Sequence, residues 1–185
     1  MKVVLKVLLL GDGAVGKTAL RDSFLGRSFT SNYIPTLGAD FIAKTIIHED
    51  RELRFQIWDL AGQPAFREVR KLYYRNTAGA FLVFDLTRLE TLTSISTWLT
   101  ELAINANTPK VSIVVVGNKL DLLEKEIELK DEIESILETI KLKDLANIDT
   151  HITYIETSAK TGKNVPEAFI KLGEGILRLY VDENL

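Results

Sequence analysis

Apolar residues follow two alternating patterns along this chain. Residues 2–10, 80–84, 111–116 and 152–155 are near-continuous apolar or β-branched runs, as expected of strands buried on both faces of a parallel sheet. Between them, apolar residues recur at helical spacing: Leu20 and Phe24; Leu92, Ile95, Leu99 and Leu102; Ile133, Ile136, Leu137 and Ile140; Val165, Phe169, Leu172, Ile176 and Leu179. Gly26 is placed to stop the first helix. Two more strands, about 39–48 and 52–59, are joined by the polar turn His48-Glu49-Asp50-Arg51, which is short enough to make that pair antiparallel. Residues 60–64 break the pattern, and a short helix runs on to about Arg75. The alternation predicts an α/β three-layer α/β/α fold around a mostly parallel six-stranded sheet with one antiparallel strand. No repeat, low-complexity segment or second domain interrupts it, so residues 1–185 are expected to form one domain.

In such a sheet, ligands gather outside the carboxyl ends of the strands. After the first strand comes Gly11-Asp12-Gly13-Ala14-Val15-Gly16-Lys17-Thr18, the G-x-x-x-x-G-K-[ST] phosphate-binding loop. Gly11, Gly13 and Gly16 are expected to adopt backbone angles a Cβ would resist, so that N–H donors ring a polyphosphate. The start of the next helix adds its positive dipole end. Lys17 would reach the β/γ-phosphates, and the Thr18 hydroxyl would ligate Mg²⁺.

Other strand ends carry matching chemistry. Asp59-Leu60-Ala61-Gly62-Gln63 places a carboxylate for Mg²⁺, through a coordinated water, and a glycine whose N–H can approach a terminal phosphate. Asn118-Lys119-Leu120-Asp121 follows the strand ending near Val116. The Asp121 carboxylate can accept from both N1–H and the 2-amino group of guanine, Asn118 can contact the far edge, and the Lys119 stem can cover one ring face. Adenine offers neither donor and would leave a buried carboxylate unpaired. In Glu156-Thr157-Ser158-Ala159-Lys160, the Ala159 N–H suits guanine O6 and Ser158 suits buttressing Asp121.

Bulk properties narrow the alternatives. The formal net charge of −3, without a Lys/Arg cluster, argues against a nucleic-acid surface. The absence of cysteine excludes disulfides, thiolate metal sites, thiol catalysis and cysteine lipidation of this chain, and fits a reducing compartment. The first apolar run carries Lys6 and is too short for a signal peptide or membrane span, and Lys2 excludes N-myristoylation.

Four motifs in order, GDGAVGKT, DLAGQ, NKLD and ETSAK, mean that the chain resembles the Ras superfamily of small GTPases over essentially its whole length. Residues 36–41, 58–59, 72–75 and 84–87 look most like the Rab branch. The resemblance implies a P-loop NTPase fold and a guanine-nucleotide switch that hydrolyses GTP to GDP and phosphate with Mg²⁺. Thr36 would ligate the metal and touch the γ-phosphate, Phe29 would stack on the base, and Gln63 would orient the attacking water. Ala19, Tyr33 and Lys160 join the nucleotide-binding set. Segments 29–41 and 59–76 would be the switches. Effectors, an exchange factor and a GTPase-activating protein are the expected partners of a cytoplasmic monomer, with no nucleic acid and any membrane contact made through those partners. No arginine flanks Thr36, so no arginine finger in cis is expected. By analogy with Ras and Gα, intrinsic turnover is expected on the order of 10⁻³ per second or below.

Three features depart from that pattern. Pro64 replaces the usual Glu after Gln63, removes an acid that exchange factors use, and biases Gln63 away from helical angles. Asp121 to Ser158 spans 37 positions, longer than in plain Ras or Rab members. The extra residues 141–150 read as a solvated excursion after the helix, with a partner-binding element as the alternative. The chain ends at Leu185 without a cysteine-bearing tail, so no lipid anchor is expected in this chain itself: either such a tail has been removed or the protein works without one. Trp58 and Trp98 read as packing residues, and neither His48 nor His151 has a catalytic setting. Two other classes stay open: a nucleotide-loaded scaffold that does not cycle, and an ATP-dependent kinase or ATPase, which Asn118 and Asp121 disfavour.

Overall fold

The computed structural model describes residues 2–31, 34–123, 133, 135, 138 and 148–180. The elements are β1 (Lys2–Leu10), α1 (Lys17–Phe24), β2 (Ala39–His48), β3 (Arg51–Leu60), α2 (Arg67–Arg70), β4 (Gly79–Asp85), α3 (Glu90–Thr93), α4 (Ile95–Asn105), β5 (Lys110–Asn118), β6 (Asp149–Glu156) and α5 (Val165–Tyr180). Single 3-10 turns lie at Pro64–Phe66, Lys71–Tyr73 and Leu120–Leu122, and Ile133, Ser135 and Glu138 are helical.

The six strands form one sheet in the order β2-β3-β1-β4-β5-β6. Only β2 is antiparallel to its neighbour. This is the mostly parallel α/β P-loop architecture. Alternation along β1 splits the core into two layers. Leu5, Val7 and Leu9 pack with Leu20 and Phe24 of α1 and with Phe169, Leu172 and Ile176 of α5. Leu8 and Leu10 face the other way, onto Leu92 of α3, Ile95, Leu99 and Leu102 of α4, and the helical Ile133. In the first layer the Phe24 and Phe169 rings stack at 3.6 Å, with Phe55 edge-on to both. The chain leaves β1 toward β3 on one side and later returns to β4 on the other. The carboxyl end of β1 is therefore the topological switch point where a ligand crevice opens.

Local chemistry sets the ends of several elements. Gly26, at φ +78°, closes α1 with the paired bonds of a Schellman motif, Arg27 N–H to Asp22 O at 2.9 Å and Gly26 N–H to Ser23 O at 3.0 Å. The hairpin turn is tighter than the sequence implied. His48 pairs with Arg51, and Glu49 and Asp50 alone turn the chain, both at positive φ as a type I′ turn requires.

Three expectations are corrected. The apolar stripe from Leu92 to Leu102 lies on two helices parted at Ser94. There the hydroxyls of Thr93 and Ser94 both donate back to the Glu90 carbonyl, competing with the helical ladder. The helix expected up to Arg75 is one α-turn between two 3-10 turns, ending at Tyr73. Of the supposed excursion 141–150, Asp149 and Thr150 belong to β6, in register with Lys110 and Val111. Residues 141–147 lie outside the described residues, as do Ile136, Leu137 and Ile140.

Candidate functional site

The loop from β1 to α1 is shaped by close approach. A Cβ on Gly11 would lie 2.1 Å from the Val83 carbonyl oxygen, and one on Gly16 would lie 2.3 Å from Asn118 Nδ2. Both glycines have positive φ, 144° and 99°. Gly13 does not. The left-handed residue at mid-loop is Ala14, at φ +62°, which corrects the role assigned to Gly13. Val15 is fully buried, and Ala19 borders the crevice. Lys17 is also buried, and its Nζ donates to the carbonyls of Gly11 at 2.7 Å and Asp12 at 2.8 Å. Burial pulls its pKa down to about 8, although Asp59 and Asp12 act in the opposite sense.

Three oxygen donors meet beside this lysine. Thr18 Oγ1 donates to Asp59 Oδ2 at 2.5 Å and lies 3.1 Å from Thr36 Oγ1. Asp59 is fully buried, and its Oδ1 is a buried acceptor with no hydrogen-bond partner. Burial raises its pKa, while Thr18, Lys17 and Arg21 work against the rise. Two hydroxyls and one carboxylate with an uncommitted oxygen are the hard donors that suit Mg²⁺ and its retained waters, so the residues fit that ion.

Gln63 is extended, at φ −70° and ψ 142°, as Pro64 demands of the residue before it. Its Oε1 is buried without a partner, and the residue borders the crevice. A Cβ on Gly62 would lie 2.6 Å from the Gly11 carbonyl, so only glycine lets this segment lie against the phosphate loop. Arg70 fixes the segment from behind. Its Nη1 donates to the carbonyls of Ala61 at 3.0 Å and Gln63 at 2.9 Å. Its Nε and Nη2 form a two-pronged pair with Glu101 at 3.1 Å, and Tyr74 donates to the same carboxylate at 2.9 Å. The guanidinium stacks on Trp98 at 4.4 Å, and Trp98 Nε1 donates to Asp12 Oδ1 at 2.8 Å. Trp98 therefore does more than pack. Sequence reasoning missed this network, although Glu101 sits three residues after Trp98 on the apolar side of α4, an anomaly that signals a paired charge.

The far end of the crevice is built from three loops. Asn118 is buried; its Nδ2 donates to the Val15 carbonyl at 3.0 Å, and its Oδ1 accepts from Thr157 Oγ1 and Ala159 N–H, each at 3.1 Å. The Ala159 N–H expected to await a base is thus donated to Asn118, because both lie at adjacent strand ends. Ser158 Oγ donates to Asp121 Oδ1 at 2.6 Å, and Lys160 Nζ lies 3.9 Å from Asp121 Oδ2. Lys119 takes left-handed angles, and its Nζ pairs with Asp85 Oδ2 at 2.6 Å. Asp85 also holds Thr87 and Arg88, and Arg88 donates to the Gly13 carbonyl at 3.2 Å. Burial would raise the Asp85 pKa, but Lys119, Thr87 and Arg88 outweigh it and hold the carboxyl below its usual range.

A cavity of about 390 Å³ joins the two ends, walled by Gly13, Lys17, Thr18, Phe29, Thr36, Gly62, Gln63, Lys119 and Ala159 among others. Asn118 stands behind that wall, beside Gly16. Tyr33 lies outside the described residues.

Phosphate-type loop, the Thr18–Thr36–Asp59 oxygen cluster and the crevice they border on this topology define an α/β P-loop nucleotide-binding protein. A model of the Ras family matches residues 6–178. Ras-related protein Rab-22A from Canis lupus familiaris is 38% identical over 173 residues, covering 93% of this chain and 83% of the relative. Ras-related protein Rab-8B from Dictyostelium discoideum is 37% identical over 97% of this chain and 83% of its own length. Ras-related protein Rab-10 from Diplobatis ommata is 36% identical over 95% and 82%. The chain belongs to the Ras family: it is a small, GTP-binding GTPase of Rab-like type.

Proposed function

We propose that the chain is one G domain that cycles between GTP and GDP, hydrolysing GTP to GDP and phosphate and moving segments 29–41 and 59–76 to control effector binding. The observation that carries this reading is one cavity bordered at once by Lys17, Thr18, Thr36, Gln63, Lys119 and Ala159.

In this reading Asp121 accepts from the guanine N1–H and 2-amino groups while Ser158 fixes its rotamer, and Lys119, held by Asp85, and Phe29 cover the ring. The Gly11–Thr18 loop and the α1 amino end cradle the phosphates, and Lys17 turns from its own loop carbonyls to the β/γ oxygens. Thr18, Thr36 and Asp59 would hold Mg²⁺, which supplies charge neutralisation on the phosphates when bound. Gln63, with its amide oxygen uncommitted, orients the attacking water, and Arg70 and Glu101 hold the backbone on either side of Gly62. Arg88 is tied to Asp85 and Gly13 and does not flank Thr36, so intrinsic turnover is slow and an activating protein is expected to raise it. By likeness to Ras-related proteins named Rab, the protein would act in membrane trafficking through effector, exchange and activating partners. No helix among the described residues is long and apolar enough to cross a membrane.

The test is to identify the nucleotide that co-purifies with the full chain, then follow its hydrolysis with and without Mg²⁺. Guanine nucleotide and slow, metal-dependent release of phosphate are expected. Adenine nucleotide would overturn the base assignment, and GTP that never turns over would make the protein a scaffold.

A further inference from the structure

One charged side chain near the metal site has no part in the scheme above. Arg21 lies one turn beyond Lys17 and Thr18 on the same face of α1, and its side chain is only 5% exposed. Three carboxylates surround its guanidinium. Nη1 donates to Asp40 Oδ2 at 2.5 Å, Nε and Nη2 donate to Asp22 Oδ1 at 3.0 and 2.9 Å, and Nη1 stands 3.6 Å from Asp59 Oδ2. These partners differ in what they need. The Asp40 and Asp22 side chains are 59% and 31% exposed and share their charge with water, whereas Asp59 has no exposure at all. The cations that act on Asp59 are Lys17, which in the proposed function turns to the phosphates, and Arg21, which has no such second task.

We propose that Arg21 is a resident counter-cation of the metal site: it neutralises Asp59 when no metal is bound, opposes a divalent cation there, and makes nucleotide retention less dependent on Mg²⁺ than Thr18, Thr36 and Asp59 alone would. A guanidinium cannot shed its proton at any physiological pH, so its charge is permanent. Charges buried this deeply are weakly screened by salt. An incoming divalent ion meets a carboxylate already paired and a like charge 3.6 Å from that carboxylate. Both effects weaken metal binding, and both soften the loss when metal leaves. A tether role, in which Arg21 merely fastens the start of β2 to α1 through Asp40, predicts no such dependence on the metal.

The proposal rests on reading Asp59 as the carboxylate of the Mg²⁺ site, and the experiment separates the two. Full-length protein is loaded with a fluorescent GDP analogue, and its release rate is measured against buffered free Mg²⁺. Arg21→Gln, which keeps hydrogen bonding but removes the charge, is expected to lower the half-saturating Mg²⁺ by about tenfold or more, while Arg21→Lys stays within about threefold of wild type. Asp40→Asn, at an exposed position that does not threaten folding, removes the carboxylate that competes with Asp59 for Arg21 Nη1 and is expected to move the half-saturating Mg²⁺ upward. A tether would leave both Mg²⁺ midpoints at the wild-type value; an Arg21→Gln titration equal to wild type, or midpoints of Arg21→Gln and Asp40→Asn that move in the same direction, overturns the proposal. Asp59→Asn is the control: if it leaves the Mg²⁺ dependence intact, the metal-site reading itself is wrong.

Discussion

The two ends of the crevice are built on opposite principles. At the base end the protein satisfies itself: Asn118 makes three hydrogen bonds to two other loops, Ser158 fixes Asp121, and Asp85 fixes Lys119. At the phosphate end polar groups are left in suspense. Lys17 is turned back on its own loop, and Asp59 Oδ1 and Gln63 Oε1 are buried without partners. The first end is a preformed template whose geometry costs little to use. The second keeps a buried ammonium on its own loop carbonyls and two buried acceptors unpaired, groups that a bound phosphate, cation or water can satisfy. A switch needs both, an anchor that does not change and a sensor that does.

The largest expected effect comes from breaking the anchor. Asn118→Ala strands the Val15 carbonyl, Ala159 N–H and Thr157 hydroxyl, at about 1–3 kcal/mol for a buried group left unpaired. It should weaken GDP binding by at least about a hundredfold and lower stability in urea by about 3 kcal/mol, even without nucleotide. If nucleotide-free stability is unchanged, the anchor is not preformed.

Lys17→Met should weaken nucleotide binding comparably yet leave nucleotide-free stability within about 1 kcal/mol, because the variant also removes a buried charge. Its pH signature can be signed. The Lys17 pKa falls from 10.5 to about 8 in the folded protein, so between those values the unfolded chain binds more protons and stability rises with pH. The contribution is complete above 10.5 and lost as pH falls through about 8. Tyr74 and Tyr154, both raised by burial, act against it only above about pH 10. Urea midpoints of wild type minus Lys17→Met, compared at pH 7.5 and 9.5, should therefore grow with pH. A flat difference would refute the buried-lysine account.

Asp121→Asn tests specificity without disturbing the anchor, since Ser158 can still donate to the amide oxygen. GTP affinity should fall at least about a hundredfold while xanthine nucleotide gains, its added carbonyl accepting from the new amide. Competition binding with the two nucleotides reads this directly. Gly13→Val acts at the sensor instead. Single-turnover hydrolysis should slow by about tenfold or more with nucleotide still bound, because a branched side chain intrudes where Gln63 and the water meet.

What the sequence made legible follows the same division. Asp121, Ser158, Lys17 and Thr18 could be named in advance because each belongs to a motif whose spacing the chemistry dictates. The middle of the sheet was legible because β4 and β5 are buried on both faces and read as near-continuous apolar runs. Arg70, Glu101, Trp98 and Arg21 were not, because their partners are distant in sequence: Arg70 and Glu101 are 31 residues apart, and Trp98 and Asp12 are 86 apart. A charge on an apolar helix face signals that a partner exists, not which one. The division of the third predicted helix at Ser94 was hidden because Thr and Ser side chains favour a break only when their back-bonds to Glu90 form.

The smallest effect is the sharpest test of how the sensor loop is strained. Ala14 holds φ +62° at the crest of the phosphate loop, a conformation that costs an L-residue with a Cβ roughly 1–2 kcal/mol. Ala14→Gly removes that cost but loosens the unfolded chain, which returns about 0.5–1 kcal/mol. The net gain is therefore about 0.5 kcal/mol, a rise of about 1–2 °C in Tm for a domain of this size. Because the anchor at Asn118 holds the loop from Val15 and not from Ala14, base preference and GDP release should be unchanged. A fall in Tm would mean that Ala14 is not strained, and faster GDP release would mean that its Cβ helps set the loop for phosphate. Either outcome would move Ala14 from the sensor to the anchor.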